Sequence, residues 1–273
     1  MIRQNLHTHT VFDDGKNTPK EMCAAALAAG LTSLGFSCHS VLPYDNDWSL
    51  APERVPDYLA AVREAKNAFM GRLAVYSGIE LDGISSHSVQ DFDYVIGSLH
   101  HIQFGGEYPS IDDTAAITRD ILERYFGGDR DAMAAAYFAQ YADLAADADV
   151  DVVGHFDLLS KFDETDGIFD PAAPAYRDSA MAALEALCGA DKIFEVNTGA
   201  MAKGYRTAPY PSLFFLRELK ARRARLIVSS DAHTADAVAF AFRKTEARLA
   251  ALGFTELWEF DGRQFVPVPL SDI

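Results

Sequence analysis

The 273 residues suffice for one α/β barrel or two ordinary domains, and 49% hydrophobic with 23% charged residues is the make-up of a soluble globular protein. A formal charge of −16 speaks against DNA, RNA or an anionic membrane as partner, because such binding rests largely on Lys and Arg neutralising phosphate. The three cysteines, Cys23, Cys38 and Cys188, are widely spaced with no Cys-x-x-Cys pair, which argues against a disulfide framework or a thiolate zinc site and fits a reducing cytoplasm.

No basic region leads into a long apolar core at the start, and no apolar run approaches the roughly 18 residues of a membrane span, so neither a signal peptide nor a span is expected. No Ser, Pro or Gly-rich stretch divides the chain, and a single domain over residues 1–273 is the expectation.

Met1 to Leu6 reads as a first strand, and it runs into His7-Thr8-His9-Thr10 and a polar loop from Phe12 to Asn17. Two histidines one residue apart on an extended segment put both imidazoles on one side. Thr18-Pro19-Lys20-Glu21 has the cap, first-turn proline and early acid of a helix start, and Gly30 ends that helix. Leu31 to Phe36 is a second strand, leaving through Ser37-Cys38-His39-Ser40. Val41 to Pro52 has no periodicity and reads as a long functional loop or lid, followed by a helix to about Met70.

Arg72 to Ser77 is a third strand, ending in Gly78-Ile79-Glu80, and Asp93 to Leu99 a fourth, ending in His100-His101. Helices are expected over 111–126 and 130–148, then a strand from Val150 to Gly154 leading to His155-Phe156-Asp157. A helix from about Ala172 to Cys188, a strand from Lys192 to Asn197, a helix from Ser212 to Arg223 and a strand from Leu226 to Val228 follow. That seventh strand ends in Ser229-Ser230-Asp231-Ala232-His233; a last helix is expected from Ala235 to Leu252, and an extended tail from Phe254 to Ile273 packing on the surface.

Strand alternating with helix about seven times predicts a parallel (βα) barrel, and six of the seven strand exits carry a potential metal ligand. A doubly wound sheet would gather its ligands at one switch point, whereas a closed ring brings them to one mouth. His7, His9, His39, Glu80, His100, His155, Asp231 and His233 are N and O donors without thiolate, the set that suits Zn, Mn or Fe in a catalytic site. Eight donors exceed the needs of one ion and imply two or three, with Glu80 the natural bridge; Asp14 offers a ninth from the loop.

These stretches resemble the PHP (polymerase and histidinol phosphatase) superfamily, and within it the histidinol-phosphate phosphatases. The matching stretches are His7-Thr8-His9-Thr10 with Asp14-Gly15, Gly35 to Ser40 with Leu42-Pro43, Gly78-Ile79-Glu80, Asp93 to His100, Gly154 to Asp157, Glu195 to Thr198 with Tyr210-Pro211-Ser212, and Ser230 to His233. Together they span nearly the whole chain. The resemblance implies a distorted (βα)7 TIM-like barrel with a trinuclear metal centre. Carried over, His7, His9, Glu80 and Asp231 hold one ion, Glu80, His100 and His155 a second, and Asp14, His39 and His233 a third. Two positions depart from the family pattern: Cys38 stands where many members have Asp, and His101 where many have an apolar aromatic.

The implied activity is hydrolysis of a small phosphorylated substrate, L-histidinol phosphate, by attack of a metal-activated hydroxide on phosphorus. Glu80 bridges the ions, and the proton for the leaving alcohol comes from Asp231, His233 or a metal-bound water. Lys161, Lys203 and Arg206 are the candidates for clamping phosphate, with Arg177 less well placed; His101 is a candidate substrate contact. Asp47, Asp157, Asp163 and Glu164 could pair with cations of the substrate, Asp157 foremost, and His87 reads as a surface histidine.

Overall fold

Seven apolar runs form the parallel strands β1 (Gln4–Asn5), β2 (Ser33–His39), β3 (Ala74–Asp82), β4 (Tyr94–Ser98), β5 (Val152–Val153), β6 (Ile193–Asn197) and β7 (Leu226–Ser229) of the computed structural model. It describes residues 1–44 and 46–270; Asp45, in the predicted loop, and 271–273, the end of the predicted tail, lie outside the described residues. The strands pair in sequence order as one parallel sheet. It curls into a nearly closed barrel: Thr8 bridges Ala232 in parallel register, His9 N–H donates to Ala232 O at 2.9 Å, and Ala232 N–H donates to His7 O at 3.3 Å.

Between the strands run α1 (Pro19–Ala28), α2 (Val55–Ala68), α3 (Ala115–Phe126), α4 (Arg130–Asp143), α5 (Asp163–Asp166), α6 (Pro174–Gly189), α7 (Gly199–Ala202), α8 (Leu213–Ala221) and α9 (Phe242–Ala251). Thr18 and Glu21 close a reciprocal capping box on α1, as the sequence predicts. The distorted seven-stranded barrel is thus the observed fold, but several boundaries move for local reasons. The first strand is reduced to two residues. Helix α3 begins only at Ala115, where the Thr114 hydroxyl accepts from Ile117 N–H. Helix α4 stops at Asp143 rather than Ala148; just beyond it the Asp147 carboxylate takes the Asp149 amide, a local bond that competes with helix.

The last helix does not start at Ala235. A single 3-10 turn and a left-handed Ala241 (φ 57°) precede α9, because Asn5 Nδ2 and Thr198 Oγ1 take the carbonyls of Val238 and Phe240, both at 2.9 Å. The tail is an antiparallel hairpin, β8 (Glu256–Phe260) and β9 (Phe265–Pro269), rather than a single extended segment.

Two cores flank the sheet. The larger lies between strands and helices; the smaller fills the barrel with Leu6, Tyr76, Tyr94, Ile96, Val152, Ile193 and Ile227, and the hairpin's Phe260 closes it below. Tyr94 lies across this interior so closely that a Cβ on Gly35 or Gly78 would sit 2.2 or 2.3 Å from its ring or hydroxyl, which is why both positions lack a side chain. With the bottom filled and plugged, the opposite end is left to carry the site.

Candidate metal centre

All nine predicted ligands converge at that open end. In the β2–β3 register His39 stands beside Glu80, and the bridge that closes the barrel is flanked by His7 and His9 on one side and Asp231 and His233 on the other. Glu80, wholly buried, turns its two oxygens in two directions. Oε1 lies 2.9 Å from His155 Nε2 and 3.3 Å from His100 Nε2. Oε2 lies 2.9 Å from His39 Nδ1, 3.2 Å from His7 Nε2 and 3.7 Å from His9 Nε2.

Asp231 Oδ1 completes the first side, 3.2 Å from His9 Nε2 and 3.8 Å from His7 Nε2, while Asp14 lies 3.1 Å from His233 Nε2 and 3.7 Å from His39 Nε2. Four overlapping groups therefore have ligand atoms within 4.8 Å of one another: His7, His9 and Asp231; His7, Glu80 and His155; His39, Glu80 and His100; and His9, Asp14, His39 and His233. The grouping differs in detail from the family-derived partition, since His39 faces Glu80 as well as Asp14 and His7 reaches the side of His155.

These residues fit divalent metal ions. His7 Nε2, His9 Nε2, Asp14 Oδ1, Glu80 Oε2 and His155 Nδ1 are buried without a hydrogen-bond partner. Buried polar atoms are nearly always satisfied, so four of these orphans, His7 Nε2, His9 Nε2, Asp14 Oδ1 and Glu80 Oε2, each facing another donor of the cluster, mark a place built for positive charge. Electrostatics agree. Burial opposes a proton on His7 and His9, yet their carboxylate neighbours override it: Glu195, Glu80 and Asp231 raise His7, and Asp13 and Asp231 take His9 up to about 10. Glu80 and Asp231 resist the upward push of burial and are held well below the usual carboxylate range, chiefly by His7.

A second layer holds the ligands in place, and sequence reasoning did not single out its members. His7 Nδ1 is 2.6 Å from Glu195 Oε1, His9 Nδ1 is 2.6 Å from Asp13 Oδ2, and His100 Nδ1 is 3.1 Å from Asp82 Oδ2. Such contacts fix the tautomer that leaves the other ring nitrogen free to ligate. The signals were there: Asp82 follows Glu80 by two residues and so shares its strand face, Glu195 is a charge inside an apolar strand, and Asp13 follows His9 by four.

Above the donors opens a cavity of about 430 Å³ whose walls include Asp47, Trp48, Asp112, Asp113, Lys161, Lys203 and Tyr210, with Asp231 and His233 at its floor. Of the predicted substrate residues, Lys161, Lys203 and Asp47 line it. Lys161 is held by Asp112, Nζ to Oδ2 3.1 Å, while Lys203 is exposed.

The other predicted contacts are turned away, and for them the expectation is corrected. His101 is fully buried, with Nδ1 on Asp82 at 3.0 Å and Nε2 on the Tyr44 hydroxyl at 2.7 Å. Asp157 accepts the Ser212 amide at 3.0 Å, and Arg206 donates to Ser160 O at 3.2 Å while lying 4.4 Å over the Tyr210 ring. Arg177 packs on Phe214, and Asp163 and Glu164 accept the amides of Phe169 and Thr207. None of these residues lines the cavity, and the polar contacts they make are with neighbouring loops and helices. The cavity acids Asp112 and Asp113 were missed because they come from the excursion before α3, where no strand exit points to them.

The comparisons with known proteins agree with this geometry. The PHP domain family matches residues 5–199. A protein of Deinococcus radiodurans called "Probable histidinol-phosphatase" is 31% identical over 258 residues, covering 90% of this chain and 92% of that one. The "Histidinol-phosphatase" of Bacillus subtilis is 24% identical, covering 89% and 97%. A histidinol phosphate phosphatase of Lactococcus lactis, solved with zinc, L-histidinol and phosphate, superposes with a TM-score of 0.73 at 22% identity over 97% of this chain and 98% of that one. A putative histidinol phosphatase of Listeria monocytogenes gives 0.77 at 19% identity, covering 88% and 99%. With its donors at the mouth of a seven-stranded barrel and the family match running through six of those strands, the chain belongs to the PHP domain family.

Proposed function

We propose that the chain is a metal-dependent histidinol-phosphatase that hydrolyses L-histidinol phosphate to L-histidinol and phosphate in histidine biosynthesis. The observation that carries this reading is the polarity of the cavity. Six of the nine metal donors line it together with the exposed Lys203, and its walls also carry three carboxylates, Asp47, Asp112 and Asp113, one of them paired with Lys161. A phosphomonoester of a cationic alcohol offers a group to each charge, and the similarity to proteins called histidinol-phosphatase points the same way.

Two or three divalent ions, Zn, Mn or Fe, would be held by His7, His9, Asp14, His39, Glu80, His100, His155, Asp231 and His233. When bound they supply a water of lowered pKa and Lewis-acid charge for phosphoryl oxygens. Glu80, whose two oxygens face different histidines of the donor set, would be shared between the ions held there. Lys203 and Lys161 stabilise charge that grows on phosphorus oxygens in the transition state. Asp231 and His233, at the cavity floor, are the chain's own candidates for relaying a proton to the leaving alcohol. Residues 1–273 act as one domain, since the C-terminal hairpin plugs the barrel.

No helix among the described residues is long and apolar enough to cross a membrane, and the cytoplasm is the compartment that the three cysteines fit. Phosphate release from a panel of esters, with Zn, Mn or Fe supplied, tests the proposal. Histidinol phosphate should be preferred over p-nitrophenyl phosphate by orders of magnitude in kcat/KM; equal rates would favour another small phosphomonoester or a nucleotide.

A further inference from the structure

Asp47 and Trp48, between β2 and α2, line the cavity, and a chain of contacts ties Trp48 to the metal centre from behind. Asp82 Oδ2 receives His100 Nδ1 at 3.1 Å and His101 Nδ1 at 3.0 Å, so one carboxylate oxygen anchors two consecutive imidazoles. The two rings then diverge. His100 turns Nε2 to Glu80, and His101 turns Nε2 to the hydroxyl of Tyr44, 2.7 Å away. Because His101 gives its Nδ1 proton to Asp82, its Nε2 is the acceptor and the Tyr44 O–H donates.

Tyr44 is in turn braced to Trp48. Asn46 Nδ2 donates to Tyr44 O at 3.1 Å, and Asn46 Oδ1 accepts the amides of Trp48 and Ser49 at 3.1 and 2.8 Å. Trp48 stacks on His101, ring centroids 5.8 Å apart at 24°, and sets its edge against His39 at 5.0 Å, forming one wall of the cavity. His101, although it touches no cavity space, therefore fixes where that wall stands.

We propose that His101 and Tyr44 form a latch that positions Trp48 as the wall receiving the leaving-group end of the substrate, with Asn46 the brace that transmits the position. His101 is on this view a positioning residue for the substrate pocket, distinct from its neighbour His100 in the donor set. The proposal rests on the cavity being the substrate site, and its first measurement needs no substrate.

Trp48 and Trp258 are the two tryptophans of the chain, so the test is made in a Trp258→Phe background, where emission reports Trp48 alone. Tyr44→Phe removes only the latch hydroxyl, and Asn46→Ala removes only the brace. Both should make Trp48 more accessible to acrylamide, by about twofold or more, in zinc-loaded and metal-free protein alike. With whichever phosphomonoester the enzyme turns over, KM should rise roughly three- to tenfold, the scale of one lost hydrogen bond, while kcat stays within about twofold. Bound zinc per chain should not change. Unaltered quenching in both variants overturns the latch even if the enzyme hydrolyses nothing tested. Loss of zinc with KM unchanged would also overturn it, placing these residues in support of His100 instead. If quenching rises in a protein that prefers another ester, the latch stands and only the substrate assignment falls.

Discussion

His7 Nδ1 lies 2.6 Å from Glu195 Oε1, with neither side chain exposed to solvent. Glu195 is itself satisfied on all sides, receiving the Ser229 hydroxyl, His155 N–H at 2.8 Å and Asn197 Nδ2 at 3.0 Å. One carboxylate thus fixes the ring of one ligand and the backbone of another. Glu195→Gln keeps the shape but replaces an ionised acceptor by an amide, so apparent zinc affinity should fall about 10–100-fold, the usual cost of an altered outer-shell partner. Competition with a chromogenic chelator measures this. An unchanged affinity would remove Glu195 from the site's support.

Glu80→Gln cuts deeper, because the residue lost serves both sides of the donor set. Activity and bound metal should both fall, by more than the roughly 10–100-fold of an outer-shell change. His87, which belongs to none of the ligand groups, is the control: His87→Ala should leave both within about twofold of wild type. Metal analysis beside steady-state rates decides, and full activity in the Glu80 variant would refute the assigned centre.

Removing metal should cost stability as well as activity. A ligand that binds only the folded chain stabilises it by about 2.7 kcal/mol at a free concentration of a hundred times Kd. For a chain of this size that corresponds to a Tm rise of roughly 5 °C when zinc is restored to chelator-stripped protein. Differential scanning calorimetry reads the shift. A Tm indifferent to zinc would mean that the orphaned donors are not a metal site.

The histidines of the centre were legible because each one follows an apolar run at a strand exit, a local pattern that needs no knowledge of the neighbours. What was not legible depends on direction. His100 and His101 are adjacent in sequence, and only the fold shows that one faces Glu80 and the other faces Tyr44. Arg206 and Asp157 occupy the same kind of loop as Lys203, yet their polar atoms are taken up by Ser160 and Ser212. The helix boundaries near Asp143 and Ala241 moved through one or two side-chain bonds to backbone, which propensity and periodicity do not record. The closing hairpin was missed because its two short strands read as one extended tail, and its pairing partner is only a turn away.

Asp163 offers a pH test away from the metal centre. Oδ1 accepts Phe169 N–H at 2.8 Å, but Oδ2 is buried without a partner. Burial pushes this carboxyl up to about 7, with the Phe169 amide and Arg206 pulling against it and Asp157 and Asp170 adding to it. A carboxyl whose folded pKa is raised favours the protonated fold: its contribution is fully present below the unfolded pKa and is lost as pH rises towards the folded one. The loss should therefore accumulate between about pH 4 and about pH 7, and for a shift of this size it amounts to at most ~4 kcal/mol. Asp163→Asn keeps an acceptor for Phe169 and cannot ionise, so the variant should gain on wild type steadily across that window and hold its advantage above it. Urea unfolding at a series of pH values measures the gap. Parallel curves for the two proteins would mean that Asp163 ionises in the fold as freely as in the unfolded chain.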